Sequence, residues 1–419
     1  MMRVLSDTTW SPRKIWNCFD IVNGATPASG TAHFWDGEIS WVGPADLGKL
    51  SSRVVSRGER NLTESGYKNC GTTFVPAGTI ILSARAPIGH VAVAANRLCF
   101  NQGCKGLVPN SDIFGEFAYW LILALKPKLE AAGQGTTFVE LSRSKLKDVT
   151  FLLPPLPEQR AIAAFLDRKC AAIDEAVRIK EEQIRLLAER RQILIQEAVT
   201  RGLNPDAPMK DSGIDWIGQI PAHWEVKRLK HLSEIFRGKF THRPRNDPRL
   251  YDGEYPFFQT GDVARAGMFL SEYRQTLNEA GLRVSTLIPK GTILITIAAN
   301  IGDVTILDID GCFPDSVVGF KPRPEIERDF LYYSMSAMKT IFMNNSIANA
   351  QANLNVDRIG GITVCLPPKA EQNVIMEYVQ MANEKTDRAI GVKESQITAL
   401  REYKTSLINA AVTGKIKVL

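Results

Sequence analysis

Apolar residues recur with a seven-residue period over two long stretches of the chain. In the first stretch no glycine or proline interrupts 158–200, Pro157 suits the first helical position, and Gly202 follows the last periodic residue. At ~1.5 Å per residue, a helix of this length spans roughly 65 Å. A narrow apolar seam with this period predicts a coiled coil. We assign to the seam Leu166, Ile173, Val177, Lys180, Ile184, Leu187 and Leu194 in the first stretch, and Ile390, Lys393, Ile397, Leu400 and Leu407 in the second.

Shorter apolar runs between turn residues precede each long stretch. Runs rich in β-branched residues follow a Pro-x-Gly turn and predict strands at 78–83 and 291–296, with partner strands at 91–94 and 304–307. Helical spacing predicts helices at 114–125 and 329–342. Each part is therefore expected to be a mixed α and β domain.

The sequence contains an internal duplication. Positions 75–200 align with 288–413 at a constant offset of 213, and 18 of 47 positions are identical between 154–200 and 367–413. A repeat this long is a duplicated domain with its helix, which predicts a pseudo-two-fold molecule suited to a target with two halves. We place a first domain at 1–153, a long helix at 154–201, a connecting segment at 202–223, a second domain at 224–366, and a second helix with a tail at 367–419.

The two long helices have two possible packing partners. Each helix either packs on its own domain or packs on the other helix, and their length favours packing on each other. The pair is antiparallel if the halves are related by a two-fold axis perpendicular to the helices. Both copies carry basic residues within the seam, at Lys180 and Lys393 and at Arg191 and Lys404. Such residues either set the register of the pair or extend their charges out of the edge of the seam.

Composition narrows the class of protein. The content of 44% apolar residues is ordinary for a globular chain, and the longest apolar run, 117–125, is far shorter than the roughly 20 residues of a membrane span. Residues 1–7 lack the apolar core of a signal peptide, so we expect a cytoplasmic protein without membrane association. Seven cysteines without a CxxC pair indicate reduced thiols, and no metal site is predicted.

Basic residues cluster at two places. Positions 237–249 hold five basic side chains and one acidic one, and a second group surrounds 53–68, although the net charge of the whole chain is only +6. Either cluster alone fits a solvated loop as well as a phosphate-binding surface. Because both precede the matching Pro-x-Gly-Thr-Ile runs, we favour nucleic-acid binding.

Motifs of common catalytic classes are absent from the sequence. The chain has no phosphate-binding GxxxxGK[ST] loop, no GxGxxG after a predicted strand, no HExxH and no GxSxG. The five histidines do not recur between the copies. We therefore expect a binding protein and no catalytic residues.

Similar short motifs precede the two long helices: Leu153-Pro154-Pro155-Leu156-Pro157-Glu158-Gln159 in the first copy and Leu366-Pro367-Pro368-Lys369-Ala370-Glu371-Gln372 in the second. Their order and duplication resemble the specificity subunit of type I restriction-modification enzymes, and both motifs are similar to the starts of that family's two helical regions. Residues 211–224 are similar to the segment before a target recognition domain. Asn101-Gln102-Gly103 fits the family pattern, whereas the second copy departs from it with Pro314-Asp315-Ser316.

The resemblance implies an α+β fold in which two pseudo-two-fold-related target recognition domains are joined by two long antiparallel coiled-coil helices. Each domain would recognise one half of a bipartite, asymmetric site in double-stranded DNA, with half-site centres roughly 34 Å apart. The helices would fix the spacer and dock two methyltransferase subunits, and through them the restriction/translocase subunits. No cofactor is implied in this chain, because S-adenosylmethionine and ATP with Mg²⁺ would bind the partners. A self-contained DNA-modification enzyme and a structural coiled-coil scaffold are the alternatives.

The chemistry of base edges and phosphates selects the candidates for DNA contact. Arginine suits the major-groove edge of guanine, whereas lysine more often contacts phosphate. Asn101 and Gln102 either contact adenine or cap a turn, and each basic residue has a plain surface role as its alternative. The candidates are Arg53, Arg57, Arg60, Lys68, Arg85, Asn101 and Gln102 in the first domain, and Arg243, Arg245, Arg249, Arg265 and Arg274 in the second.

Overall fold

A computed structural model describes residues 10–133, 140–347 and 355–418 of the chain. These ranges include two long helices, Leu156–Arg201 and Lys369–Val412. The segment 1–7, assessed above for a signal peptide, lies outside the described residues. The chain forms two compact units: Met1–Glu181 with Glu394–Leu419, called unit 1, and Glu182–Lys393, called unit 2. Each unit contains part of both long helices.

Unit 1 is built from short strands and helices around one five-stranded sheet. Its strands are β1 (Ser11–Lys14), β2 (Phe19–Asn23), β3 (Trp35–Ile39), β4 (Trp41–Val42), β5 (Val54–Val55), β6 (Ile80–Ser83), β7 (Val91–Ala94), β8 (Cys99–Phe100), β9 (Cys104–Pro109) and β10 (Thr150–Leu153). Its helices are α1 (Ile15–Cys18), α2 (Pro44–Gly48), α3 (Glu64–Lys68), α4 (Gly115–Ala124), α5 (Lys126–Ala132), α6 (Arg143–Lys147) and the first part of α7 (Leu156–Arg201).

Unit 2 repeats this plan with its own elements. Its strands are β11 (Met209–Asp211), β12 (Gln219–Pro221), β13 (Glu225–Arg228), β14 (Ser233–Arg237), β15 (Tyr251–Phe257), β16 (Phe269–Leu270), β17 (Gln275–Leu277), β18 (Ile293–Thr296), β19 (Val304–Leu307), β20 (Val317–Pro322) and β21 (Thr363–Leu366). Its helices are α8 (Leu229–Leu232), α9 (Thr260–Arg265), α10 (Glu279–Arg283), α11 (Arg328–Ala337), α12 (Lys339–Ile347), α13 (Val356–Gly361) and the first part of α14 (Lys369–Val412).

The central sheets of the two units have the same topology. The strand order is β2-β9-β6-β7-β5 in unit 1 and β14-β20-β18-β19-β16 in unit 2. In each sheet the last pair is parallel and the others are antiparallel. The units differ beside the sheet, where unit 1 has the parallel pair β4 and β8 and unit 2 has the antiparallel pair β15 and β17. The duplication thus conserves the sheet while the flanking segments diverge.

Most of the predicted local elements are present. The runs after the Pro-x-Gly turns form β6 and β18, their partners form β7 and β19, and the helix predicted at 114–125 is α4. The prediction of a single helix at 329–342 is wrong, because the chain forms two helices there, α11 and α12, with a break at Met338. The Met338 amide donates to the Met335 carbonyl at 3.0 Å, a three-residue step that tightens the turn and ends the α-helical ladder.

Both long helices are continuous. Helix α7 has 46 residues and α14 has 44. Gly202, with φ at +74°, ends α7 as predicted, since glycine adopts this left-handed conformation without steric cost. None of the twelve side chains assigned to the seam is exposed, and Leu166, Ile173, Ile397 and Leu407 are buried.

The helices pack antiparallel within each unit. In unit 1, Lys404 Nζ lies 2.6 Å from Asp174 Oδ1, and Arg401 Nη2 lies 2.9 Å from Glu181 Oε1, so one helix ascends as the other descends. In unit 2, Arg191 Nη1 donates to Asp387 Oδ1 at 2.7 Å. Asp174 and Asp387 are equivalent positions of the repeat, as are Arg191 and Lys404. Each basic residue therefore pairs with the acid supplied by the other copy of the repeat.

The helices also belong to the domain cores, so both packing modes considered above occur. In unit 1, Leu166 of α7 and Leu407 of α14 share a core with Ile80 of the sheet. In unit 2, Ala198 and Val379 share a core with Ile293, and Ile217 and Ile220 of the connecting segment join it. Each domain therefore packs against both long helices.

A buried glutamine fixes each domain to the start of its helix. Gln159 is 0% exposed; its Oε1 accepts from the Phe114 amide at 2.7 Å, and its Nε2 donates to the carbonyls of Asp112 and Pro154 at 3.0 and 2.8 Å. Gln372 makes the same three bonds, to Glu327, Glu325 and Pro367. A neutral amide satisfies one donor and two acceptors at once, which explains why both copies carry glutamine here.

Candidate nucleic-acid interface

A concentrated basic surface lies in unit 2, at the end of β14 and on the segment after it. Arg243 and Arg245 both approach the carboxylate of Asp315; Arg243 Nη2 lies 3.5 Å from Asp315 Oδ2, and Arg245 Nη2 bonds Asp315 Oδ1. Arg237 Nε donates to the Asp315 backbone carbonyl. These four residues, which we call the Asp315 cluster, carry three positive charges and one negative charge. The cluster is thus a net cationic surface held in place by one acid.

Arg243 is further restrained by the backbone. Its Nη1 donates to the carbonyls of Phe240 and His242, each at 2.8 Å. Its side chain is nevertheless 54% exposed, and that of Arg245 is 46% exposed. Both guanidinium groups are therefore oriented and accessible to an anion.

Arg249 is held in the same way by a second acid. Asp247 accepts from Arg249 Nε at 3.0 Å and from Arg249 Nη2 at 2.7 Å, and the nitrogen Nε2 of His242 lies 3.1 Å from Asp247 Oδ2. Above all the hydrogen bonds from Arg249 hold the pKa of the Asp247 carboxyl well below its usual value of 3.8. The acid therefore stays ionised, and the Arg249 side chain remains 84% exposed beside it.

Arg265 and Arg274 lie apart from the Asp315 cluster in sequence and line a cavity of about 430 Å³. The aromatic rings of Phe269 and Tyr273 line the same cavity and are 48% and 44% exposed. Arg265 is bonded to the buried Asp262, whereas Arg274 forms no ion pair with any described residue. Cations beside exposed aromatic rings are suited to a flipped or unpaired base as well as to phosphate.

In unit 1 the basic surface is formed by other residues. Arg60 stacks on Trp35, with its guanidinium carbon 4.1 Å from the ring centroid. Lys68 is exposed at the end of α3, which packs against the neighbouring Phe34 through Gly66. Arg57 is exposed and forms no ion pair within the described part of the chain. Arg60 and the helix that ends in Lys68 therefore contact neighbouring residues, Trp35 and Phe34.

Four other candidates of unit 1 are engaged within the protein. Arg53 bonds Asp167 of α7, which also accepts from Trp120 Nε1 at 2.9 Å, so Arg53 links the domain to the helix. Arg85 Nε donates to Glu140 at 3.0 Å. Asn101 accepts from the Gly103 amide at 2.7 Å, as expected of a turn cap, and Gln102 bonds the hydroxyl of Thr26. Of these, Arg85 and Gln102 remain exposed.

Three cations with specific contacts or burial in the structure are not among the residues predicted from the sequence. Arg237 lies in the basic stretch 237–249 but is not among the predicted candidates, yet its Nε donates to the carbonyl of Asp315. Arg97 stacks on Phe74 at 3.9 Å, and Phe74 packs on Tyr67 at 4.4 Å. Lys105 is 7% exposed, and burial lowers its pKa. Arg97 and Lys105 are isolated in sequence, so no pattern identified them.

All seven cysteines lie among the described residues and are free thiols. No group of three or more His, Cys, Asp or Glu side chains with metal-binding geometry occurs among the described residues. Burial raises the pKa of both Cys99 and Cys104 to about 12, so these thiols stay protonated at neutral pH. Among the described helices, none has a segment apolar and long enough to cross a bilayer.

Sequence comparisons agree with this two-unit arrangement. The profile of the type I restriction modification DNA specificity domain matches the chain twice, at residues 8–184 and 221–397. The MjaIX type I restriction enzyme specificity subunit of Methanocaldococcus jannaschii is 30% identical over 280 residues, which are 65% of this chain and 62% of that protein's length. The EcoBI specificity subunit of Escherichia coli is 24% identical over 75% of this chain and 68% of its own.

Solved structures share the fold. A chain from a study of complex assembly and conformational transition of the type I R-M system superposes with a TM-score of 0.69 at 17% identity, covering 99% of this chain and 100% of that one. The HsdS subunit from Thermoanaerobacter tengcongensis superposes with a TM-score of 0.54 at 16% identity, covering 98% of each chain. A duplicated sheet domain with long helices is thus a fold that this chain shares with these solved structures. The chain belongs to the type I restriction modification DNA specificity family.

Proposed function

We propose that this chain is the sequence-specific DNA-binding subunit of a cytoplasmic type I restriction-modification complex. Each unit would recognise one half of a bipartite site in double-stranded DNA. The observation that carries the proposal is the duplication of one sheet topology with a separate basic surface on each copy. Phosphate contacts position such a protein, and contacts to base edges provide its specificity.

The two half-sites should differ in sequence. Asp315, which contacts Arg243 and Arg245 of another segment in unit 2, is replaced at the equivalent position of unit 1 by Gln102, which bonds Thr26. Different side chains at equivalent positions present different donors and acceptors to DNA. A non-palindromic target is expected, with its spacer set by the paired long helices.

We assign the chemistry to partner subunits. Methyl transfer from S-adenosylmethionine and ATP-dependent cleavage or translocation would reside on the methyltransferase and restriction subunits, and this chain would be non-catalytic. The burial and protonation of Cys99 and Cys104 are consistent with a structural role for these thiols.

An exposed apolar row on α7 supports docking of two methyltransferase subunits along the long helices. Leu186 and Ile193 lie seven residues apart on the part of α7 that belongs to unit 2, and they are 49% and 56% exposed. On α14, Met381 is 69% exposed and Val392 is 55% exposed. Apolar rows that no described residue covers are typical of helices that join a larger helical assembly.

Replacement of Leu186 and Ile193 by aspartate tests this docking surface. The double variant should keep its melting temperature, because both side chains are exposed, but should no longer co-purify with a co-expressed methyltransferase subunit. The control is Gln192→Asp, which adds the same kind of charge about a third of a turn around α7. Retained co-purification of the double variant would place the docking surface elsewhere.

Single-molecule sequencing of host DNA, with and without the gene, tests the function itself. A gapped methylated motif that disappears on deletion is the expected result, and it supplies the target sequence. An unchanged methylome would count against a specificity role. Methyl transfer by the purified chain alone would favour a self-contained enzyme, and binding without sequence preference would favour a scaffold.

A further inference from the structure

The Asp315 cluster occupies the place where the two copies of the repeat diverge. In both units the chain after the first sheet strand passes against the loop in question: a Cβ on Gly24 would lie 2.1 Å from the Asn101 carbonyl oxygen, and one on Gly238 would lie 2.2 Å from that of Pro314. The backbone meeting point is therefore the same. The side chains at this meeting point differ. In unit 1 the Thr26 hydroxyl donates a hydrogen bond to the neutral side chain of Gln102, whereas in unit 2 three arginines converge on Asp315.

Asp315 orients Arg243 and Arg245 without occupying all of their N–H donors. Arg243 is committed through Nη1 to two carbonyls and only approaches Asp315, at 3.5 Å. Arg245 uses Nη2 on Asp315, and its Nε and Nη1 form no hydrogen bond with any residue that the structure describes. Long arginine side chains lose rotamer freedom when they bind, and a tether that orients them beforehand reduces that cost. The carboxylate also opposes indiscriminate approach of phosphates.

We propose that Asp315 is the positioning residue that gives the second unit its DNA specificity: it holds Arg243 and Arg245 in one arrangement and disfavours non-cognate DNA. The inference rests on the function proposed above. If Asp315 were only a counter-ion that stabilises the loop, its loss would weaken binding to all DNA alike. If it positions the arginines, its loss should weaken discrimination while binding to non-specific DNA becomes tighter.

The test measures binding of the full-length chain, by fluorescence anisotropy, to three duplexes: the methylated motif, the motif with its first half scrambled, and the motif with its second half scrambled. The variant is Asp315→Asn, which removes the charge and keeps the size of the side chain. The control is Asp308→Asn, which removes an exposed carboxylate of the same unit that forms no ion pair with any described residue. The halves are assigned to units beforehand with Arg60→Ala and Arg245→Ala.

For Asp315→Asn we expect discrimination at the second half to fall about tenfold, discrimination at the first half to be unchanged, and non-specific affinity to rise. Asp308→Asn should raise non-specific affinity alone. Wild-type discrimination at both halves in Asp315→Asn, or an equal loss at both, would overturn the inference. A wild-type chain that binds all three duplexes equally would instead refute the proposed function, so the two failures are distinguishable.

Discussion

The buried glutamine at the start of each long helix offers a sharp test of how the domains are fixed to the helices. Gln159→Ala would leave one amide donor and two carbonyl acceptors buried without partners. At about 1 kcal/mol for each lost hydrogen bond, the free energy of unfolding should fall by about 3 kcal/mol. Gln159→Glu should be at least as damaging, because it keeps the volume but turns a carboxylate oxygen toward two carbonyls.

Urea denaturation followed by circular dichroism would measure both variants, with Gln372→Ala and Gln372→Glu as the equivalent pair in unit 2. Gln192→Ala, at an exposed position of α7, is the control and should change stability by less than about 0.5 kcal/mol. Wild-type stability of Gln159→Glu would refute the reasoning, since it would show that the volume of the side chain matters and its donor does not.

Three further predictions concern charges. Asp174→Lys and Lys404→Asp should each cost up to about 1 kcal/mol, because the pair is partly exposed, and the double swap should recover most of the loss in a denaturation double-mutant cycle; additive losses would contradict the antiparallel pairing. Arg243→Ala should weaken DNA binding by about 1–3 kcal/mol, and unchanged affinity and site preference would remove it from the candidates. The low pKa of Asp247 stabilises the folded state above the ordinary value of 3.8, and this contribution is lost only as the pH falls through the lower folded value. Asp247→Asn should therefore show at least as large a stability defect at pH 5 as at pH 8, whereas a defect that disappears at pH 5 would show that the acid is protonated there.

Local signals in the sequence predicted the elements that local physics controls. The absence of glycine and proline over 158–200 and the glycine at 202 predicted α7 nearly to its ends, because helix propagation and termination depend on neighbouring residues. The Pro-x-Gly turns likewise predicted β6 and β18. The break at Met338 was not predicted, since nothing in 329–342 is a helix breaker.

The sequence by itself determined the duplication, the long helices, the sheet strands and the presence of two basic regions. Only the tertiary structure decided what each cation contacts: Arg53 bonds Asp167 of α7, whereas Arg245 bonds Asp315. It also decided that Asp174 meets Lys404 on the antiparallel helix. The physical reason is that the direction and exposure of a long charged side chain depend on partners distant in sequence, which only the folded chain brings within reach.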